Sequence, residues 1–69
     1  MPVSRVKLAR TEHGLSQQEL ADKVGVARQT IGLIESGNYN PTLALCLGIS
    51  KVLGKTLDQL FYGEEKDDK

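Results

Sequence analysis

The spacing of apolar residues predicts two short helices in the stretch from residue 17 to residue 37. Apolar side chains recur there every three or four positions, which is the period of an amphipathic helix. The inward set is Leu20, Ala21, Val24, Val26, Ile31 and Ile34. Gly25 divides the pattern at a point where the chain must reverse, and glycine tolerates the positive φ that such a turn requires. Two helices joined by a tight turn containing glycine form a helix-turn-helix motif.

Start and stop signals outside this stretch extend the helical pattern. Ser4 is a candidate N-cap for a first helix over residues 3–12, with Val6, Leu8, Ala9 and the stem of Arg10 available to the core. The sequence of residues 16–19 has the form of a capping box, which predicts a second helix over 17–24. A third helix is expected from about residue 27 to residue 36, a fourth from 43 to 53, and a short fifth after Thr56. The sequence therefore predicts an all-α, compact five-helix domain over residues 3–62, followed by an acidic, disordered tail over 63–69.

The fourth predicted helix, LALCLGISKVL, is apolar on nearly every face, which is typical of a buried helix. Leu45, Ile49 and Val52 lie along one side of it at i, i+4, i+7 spacing. Two interpretations of this side stay open. It belongs to the core, or it forms a dimer seam together with Leu60 and Tyr62.

Length and composition exclude several classes of protein. A chain of 69 residues allows one domain with a modest core. The lone Cys46 and the lone His13 give no disulfide framework and no metal-ligand cluster, so a reducing, cytoplasmic setting is expected, with no metal and no cofactor. No paired carboxylates in a cleft, phosphate-binding glycine loop or nucleophile with a base was found, which predicts no enzyme and no small-molecule substrate. No apolar run approaches the length of a membrane span, so no membrane partner is expected.

The charge of the chain argues against binding to nucleic acid through charge alone. Nine basic and nine acidic residues cancel, and the pI of about 6.5 is far below the value typical of a nucleic-acid-binding domain. The last six residues hold four acidic and two basic side chains, so the remainder of the chain carries a net charge of +2. If the partner is DNA, polar groups and helix N-termini should supply much of the phosphate contact, and the salt dependence should be shallow.

Two longer segments carry a resemblance to a known family. LSQQELADKVGVARQTIGLIESG and the following NYNPTLALCLGISKVLGKTLDQLF are similar to the Cro and lambda-repressor-like (XRE-type) helix-turn-helix regulators, over about residues 3 to 62. The resemblance implies that the third helix lies in the major groove of double-stranded DNA. It also implies that Ala27, Arg28, Gln29 and Leu33 are the base-contacting positions.

The residue types at these positions suit base recognition. An arginine can donate two hydrogen bonds to guanine, a glutamine can bond adenine, and an apolar side chain can pack against a thymine methyl. The resemblance further implies phosphate contacts from Gln17, Thr30, Asn38, Tyr39 and Asn40, and a structural ion pair between Arg10 and Glu35. Gly32 and Leu33 depart from the usual family pattern, where a larger residue and a polar residue stand.

The leading hypothesis is a sequence-specific DNA-binding transcriptional regulator, a repressor that binds a two-fold operator as a homodimer through the major groove. An alternative stays open: an antitoxin or accessory module whose main partner is another protein. The neutral charge, Leu33 and the acidic tail favour that alternative.

Overall fold

The computed structural model describes residues 4–62, excluding the side chain of Tyr62. Five helices follow one another: α1 (Arg5–Glu12), α2 (Gln17–Val24), α3 (Arg28–Ser36), α4 (Leu43–Leu53) and a final π-type turn, α5 (Asp58–Tyr62). Residues 4–62 contain no strand, so the prediction of an all-α, five-helix domain is confirmed. Residue 3 of the predicted first helix and the predicted tail, 63–69, lie outside the described residues.

Hydroxyl side chains begin most of these helices. The hydroxyl oxygens of Ser4, Ser16 and Thr42 accept hydrogen bonds from backbone N–H groups in the first turns of α1, α2 and α4. At Ser16 the bond is reciprocal, because the Glu19 carboxylate accepts from the Ser16 N–H at 2.8 Å. The predicted capping box is therefore present, and each such cap satisfies N–H groups that have no partner within the helix.

The turn between α2 and α3 depends on Gly25. Its φ of 90° lies in the left-handed region, and its N–H donates to the Ala21 carbonyl at 2.7 Å. Ala21 is fully buried. Its small side chain suits the packing of α2 against α3, and its burial agrees with its place in the predicted inward set.

The core lies between the four α-helices and α5. α2 contacts both α3 and α4, while α1 contacts α3 and α5. The approach of α4 to α2 is close, since a Cβ atom added at Gly48 would lie 3.3 Å from the Val24 side chain. The largest fully buried side chains are Leu20, Ile31, Ile49, Leu53 and Val6.

One prediction about burial was wrong. Leu8, expected to be available to the core, is 50% exposed, because it lies about 200° around α1 from Val6. The fourth helix, whose apolar composition predicted a buried helix, exposes Leu43 by 65% and Leu47 by 46% in the single chain. A domain this small has too few neighbouring elements to cover every side of α4.

The side of α4 that had two interpretations belongs mostly to the core of the single chain. Ile49 and Leu60 are 0% and 5% exposed, so neither is available to form a seam with a second copy. Leu45 and Val52 are half-buried and pack against the core. The side chain of Tyr62 lies outside the described residues. The exposed apolar residues of α4 are instead Leu43 and Leu47.

Candidate nucleic-acid interface

Helix α3 separates its residues into an inner and an outer face. Ile31 and Ile34 are 0% and 8% exposed and hold the helix against the core. Arg28, Gln29 and Leu33 point outward, and together with Gly32 they line a shallow depression on the surface. Ala27 is exposed at the start of the helix. All four predicted base-contacting residues, Ala27, Arg28, Gln29 and Leu33, are therefore exposed on one side of α3. These four residues and the half-buried Gly32 make up what we call the α3 face.

The start of α3 differs from the starts of α1, α2 and α4. Ala27 occupies the N-cap position with an extended backbone (φ −75°, ψ 150°) and provides no side-chain cap. An alanine N-cap costs about 1 kcal/mol relative to serine, threonine, asparagine or aspartate. The positive end of the helix dipole is consequently left without a side-chain partner on the surface where a negatively charged or hydrogen-bond-accepting ligand would approach.

Gly32 has no packing requirement within the chain. The atoms nearest to a Cβ added there are Nε2 and Oε1 of Gln17, each 3.8 Å away, which is ordinary van der Waals contact. A glycine inside a helix nevertheless costs about 1 kcal/mol relative to alanine. A Cβ at residue 32 would therefore lie beside the Gln17 amide, at the border between α2 and the α3 face.

The Arg28 guanidinium is held by the neighbouring helix. Its Nη1 donates to Oε1 of Gln17, the first residue of α2, at 3.0 Å. The Gln17 Nε2 in turn donates to Oε1 of Glu35 at 3.0 Å. The Gln17 side chain is thus occupied on both sides in the DNA-free protein, and its contact with a phosphate remains a prediction.

Arg10 and Glu35 form a bidentate ion pair between α1 and α3. Nε of Arg10 lies 2.7 Å from Oε2 of Glu35, and Nη2 lies 3.1 Å from Oε1. Nη1 of Arg10 donates to the Leu15 carbonyl at 2.8 Å. The two side chains are 9% and 5% exposed, so the pair is shielded from solvent. Among residues 4–62, no buried side-chain nitrogen or oxygen lacks a hydrogen-bond partner.

The remaining predicted phosphate contacts are distributed around α3. Thr30 is half-buried in its first turn. Asn38, Tyr39 and Asn40 are exposed in the loop that follows its carboxyl end, and the Asn38 N–H donates to the Leu33 carbonyl at 2.9 Å. Gln17 lies beside Arg28 at the opposite end. The predicted phosphate-contacting residues therefore border the α3 face at both ends, and their contacts with DNA remain predictions.

His13 and Cys46 have structural surroundings. A ring nitrogen of His13, Nε2, lies 2.8 Å from the Leu53 carbonyl at the end of α4, a contact between distant segments that the sequence did not indicate. Burial raises the pKa of the Cys46 thiol, and this outweighs the opposing effect of its backbone hydrogen bond. The described part of the chain holds no group of His, Cys, Asp and Glu side chains arranged for a metal. Within the same part, no helix is long and apolar enough to cross a membrane.

Comparison with known proteins identifies the class. The helix-turn-helix family model HTH_3 matches residues 6–60, so the chain belongs to this family. A protein of Archaeoglobus fulgidus described as an uncharacterized HTH-type transcriptional regulator is 39% identical over 64 residues, covering 93% of this chain and 91% of that protein. The resemblance to Cro and lambda-repressor-like regulators is thereby confirmed.

Two solved structures give the same result for the fold. The N-terminal DNA-binding domain of SinR from Bacillus subtilis matches with a TM-score of 0.77 at 35% identity, covering 93% of this chain and 91% of that one. A chain of the SinR/SinI protein complex matches with a TM-score of 0.80 at 34% identity, covering 88% of this chain and 60% of that one. The protein is a transcriptional regulator with a helix-turn-helix DNA-binding domain, in which α2 and α3 form the motif.

Proposed function

We propose that this protein is a sequence-specific repressor that binds a two-fold operator as a homodimer, with α3 in the major groove of each half-site. One observation carries the proposal. The α3 face combines an uncapped helix start, a guanidinium held in place by α2, an exposed carboxamide and an exposed apolar side chain. The guanidinium, the carboxamide and the apolar side chain are groups that complement base edges in the major groove, and a helix start can bind a phosphate.

Each group has a partner in that groove. The Arg28 guanidinium suits guanine O6 and N7, and the Gln29 carboxamide suits adenine N6 and N7. Ala27 and the 44%-exposed Leu33 supply apolar surface for thymine methyl groups. Each good bidentate pair contributes about 1 to 3 kcal/mol of discrimination against other bases. The specificity of a half-site should therefore depend mainly on Arg28 and Gln29.

The length of α3 supports a homodimer. Nine residues extend about 14 Å along the helix axis, enough for about four base pairs. Two copies whose α3 helices lie about 34 to 36 Å apart would contact two successive half-sites and double the sequence that is recognised. The exposed Leu43 and Leu47 on α4 support association of the two copies.

Sedimentation of variants tests that association. Leu43→Ser/Leu47→Ser should shift the protein from dimer to monomer, whereas Leu8→Ser, which replaces a leucine on α1 whose exposure lies between those of Leu43 and Leu47, should leave it dimeric. A wild-type protein that sediments as a monomer with and without DNA would contradict the homodimer.

Gel-shift and footprinting experiments at low salt test the DNA-binding proposal, using genomic fragments that include the region upstream of the gene itself. We expect a symmetric protected site, and loss of that site in Arg28→Ala/Gln29→Ala. Lys51→Ala is the matched control, because it removes one exposed positive charge from α4 while leaving the α3 face intact. A reporter gene behind the protected site should be less active when the protein is present. The absence of any specifically bound fragment would refute the proposal.

A second candidate function is an antitoxin or accessory module whose main partner is another protein. The zero net charge and the exposed apolar residues of α4 favour it, and one similar chain comes from a complex of two proteins, SinR and SinI. Arg28→Ala/Gln29→Ala separates the two functions in cells. A DNA-binding repressor loses its phenotype with this change, whereas an interaction module keeps both its phenotype and its partner affinity.

A further inference from the structure

Glu35 connects the buried ion pair to the α3 face. Its Oε2 accepts from Nε of Arg10 at 2.7 Å, and its Oε1 accepts from two donors, Nη2 of Arg10 at 3.1 Å and Nε2 of Gln17 at 3.0 Å. The Glu35 side chain is 5% exposed, so the carboxylate is held almost entirely by these partners. The Glu35 carboxylate on α3 thus accepts hydrogen bonds from Arg10 on α1 and from Gln17, the first residue of α2.

The charge of Glu35 selects the orientation of the Gln17 amide. A carboxylate only accepts hydrogen bonds, so the Gln17 NH₂ group must face Glu35 and the Gln17 carbonyl oxygen must face away from it. In the opposite orientation, Oε1 would face a carboxylate oxygen and Nε2 would face the Arg28 guanidinium, which only donates. The buried anion therefore places a hydrogen-bond acceptor beside Arg28.

The Gln17 oxygen then restricts Arg28. It accepts from Nη1 at 3.0 Å and leaves Nε and Nη2 of the guanidinium without a bond to Gln17, on the edge that would meet a guanine. An arginine side chain loses considerable rotamer freedom when it is fixed on binding, and ordering it beforehand reduces that loss.

We propose that Glu35 is a positioning residue for DNA recognition, which acts through Gln17 to orient the Arg28 guanidinium before DNA is bound. The inference rests on the proposed function of the α3 face and assigns to the ion pair a role beyond stability. The pairing of Glu35 with Arg10 is already bidentate without Gln17. The bond to Gln17 is therefore the part of the network that a purely structural ion pair does not need.

The first test measures the order of Arg28 in the DNA-free protein by ¹⁵N relaxation of its Nε–Hε group. Gln17→Met removes both hydrogen bonds of the amide and leaves the ion pair intact. Arg10→Met/Glu35→Leu removes both buried charges together, so that neither is left unpaired, and it also removes the acceptor for Gln17. Both variants should make the Arg28 side chain more mobile than in the wild type. Unchanged order in either variant overturns the inference, whatever the protein does with DNA.

The second test measures base discrimination, the ratio of affinities for the bound operator and for the same operator with the guanine opposite Arg28 replaced. We expect Gln17→Met and Arg10→Met/Glu35→Leu to lower this ratio by about 3- to 10-fold. In an Arg28→Ala background, neither change should lower it further, because both act through Arg28. Additive losses in this cycle overturn the inference.

Arg10→Met/Glu35→Gln provides a rescue that a structural role would not predict. It removes the same two charges as Arg10→Met/Glu35→Leu but retains an amide oxygen that can accept from Gln17. Its discrimination should lie between that of the wild type and that of Arg10→Met/Glu35→Leu, since an uncharged amide no longer imposes one orientation on Gln17. Equal discrimination in the two double variants contradicts the inference. If the wild type binds no duplex specifically, the proposed function fails, and the relaxation measurement then decides only whether Glu35 orders the Arg28 side chain through Gln17.

Discussion

Replacing Ala27 by serine should make the protein more stable and weaken its binding to DNA. The backbone at residue 27 is already extended, with φ −75° and ψ 150°, which is the conformation of an N-cap residue. A serine hydroxyl there can accept a hydrogen bond from the first turn of α3, as the hydroxyls of Ser4, Ser16 and Thr42 do in the other helices. The same hydroxyl would occupy the helix start and convert the methyl group on the α3 face into a polar CH₂OH group.

The two effects have opposite signs and measurable sizes. The new cap should raise the free energy of unfolding by about 1 kcal/mol. For a domain of this length, that corresponds to a rise in melting temperature of about 4 to 8 °C. Loss of one methyl contact with a thymine is worth about 0.8 kcal/mol, or roughly a fourfold loss of affinity for the operator.

Urea denaturation followed by circular dichroism measures the first effect, and titration of a labelled operator measures the second. Thr42→Ala is the converse control, because it removes the existing cap of α4 and should cost about 1 kcal/mol without changing the α3 face. If Ala27→Ser adds no stability, the capping argument is wrong. If it stabilises the fold while operator affinity stays the same, Ala27 does not contact DNA.

Three further predictions concern the buried ion pair, two glycines and the Cys46 thiol. Arg10→Met should lower the free energy of unfolding by about 3 to 5 kcal/mol, because it leaves the Glu35 charge buried and unpaired. Arg10→Met/Glu35→Leu should recover most of that loss, as measured by urea denaturation. Equal losses of stability in the single and the double variant would contradict this prediction. Gly25→Ala should lower the free energy of unfolding by about 1 to 2 kcal/mol, because residue 25 has a positive φ. Gly32→Ala should raise it by about 1 kcal/mol, because alanine is the better helix former, so the two variants should shift the melting temperature in opposite directions. The raised pKa of the Cys46 thiol favours its neutral form in the folded state, so iodoacetamide at pH 8 should alkylate it more slowly than in the urea-unfolded chain. The contribution of the neutral thiol to folding stability is fully present below the ordinary thiol pKa and is lost as pH rises through the raised pKa. Equal alkylation rates in the folded and the unfolded chain would contradict the raised pKa.

Local signals in the sequence predicted the helices well, because the interactions that define helix ends span only a few residues. Ser16 and Glu19 are three positions apart, and their reciprocal bonds were predicted from spacing alone. Gly25 was predicted to turn the chain for a reason that belongs to its own backbone. The inner residues of α2 and α3, such as Leu20 and Ile31, followed from helical periodicity.

Features that depend on how the helices are arranged could not be predicted in this way. Leu43 and Leu47 are exposed because no other helix within residues 4–62 is left to cover their side of α4 once its opposite side is packed against the core. The bond between Gln17 and Glu35 joins residues 18 positions apart, and only the crossing of α2 and α3 brings them together. The contact of His13 with the Leu53 carbonyl spans 40 positions. The sequence shows that Gln17 and His13 are polar, but it does not indicate which distant groups they contact.

Selection of bound duplexes from a random DNA pool tests the central claim most directly, because the pool contains every candidate half-site and the protein itself selects among them. The wild-type protein should enrich a two-fold symmetric motif whose half-sites are separated by about 10 base pairs. Arg28→Ala should lose preference at one guanine in each half-site while the remaining positions are retained. Enrichment of no motif by the wild type, or of an identical motif by Arg28→Ala, would contradict recognition of DNA through the α3 face.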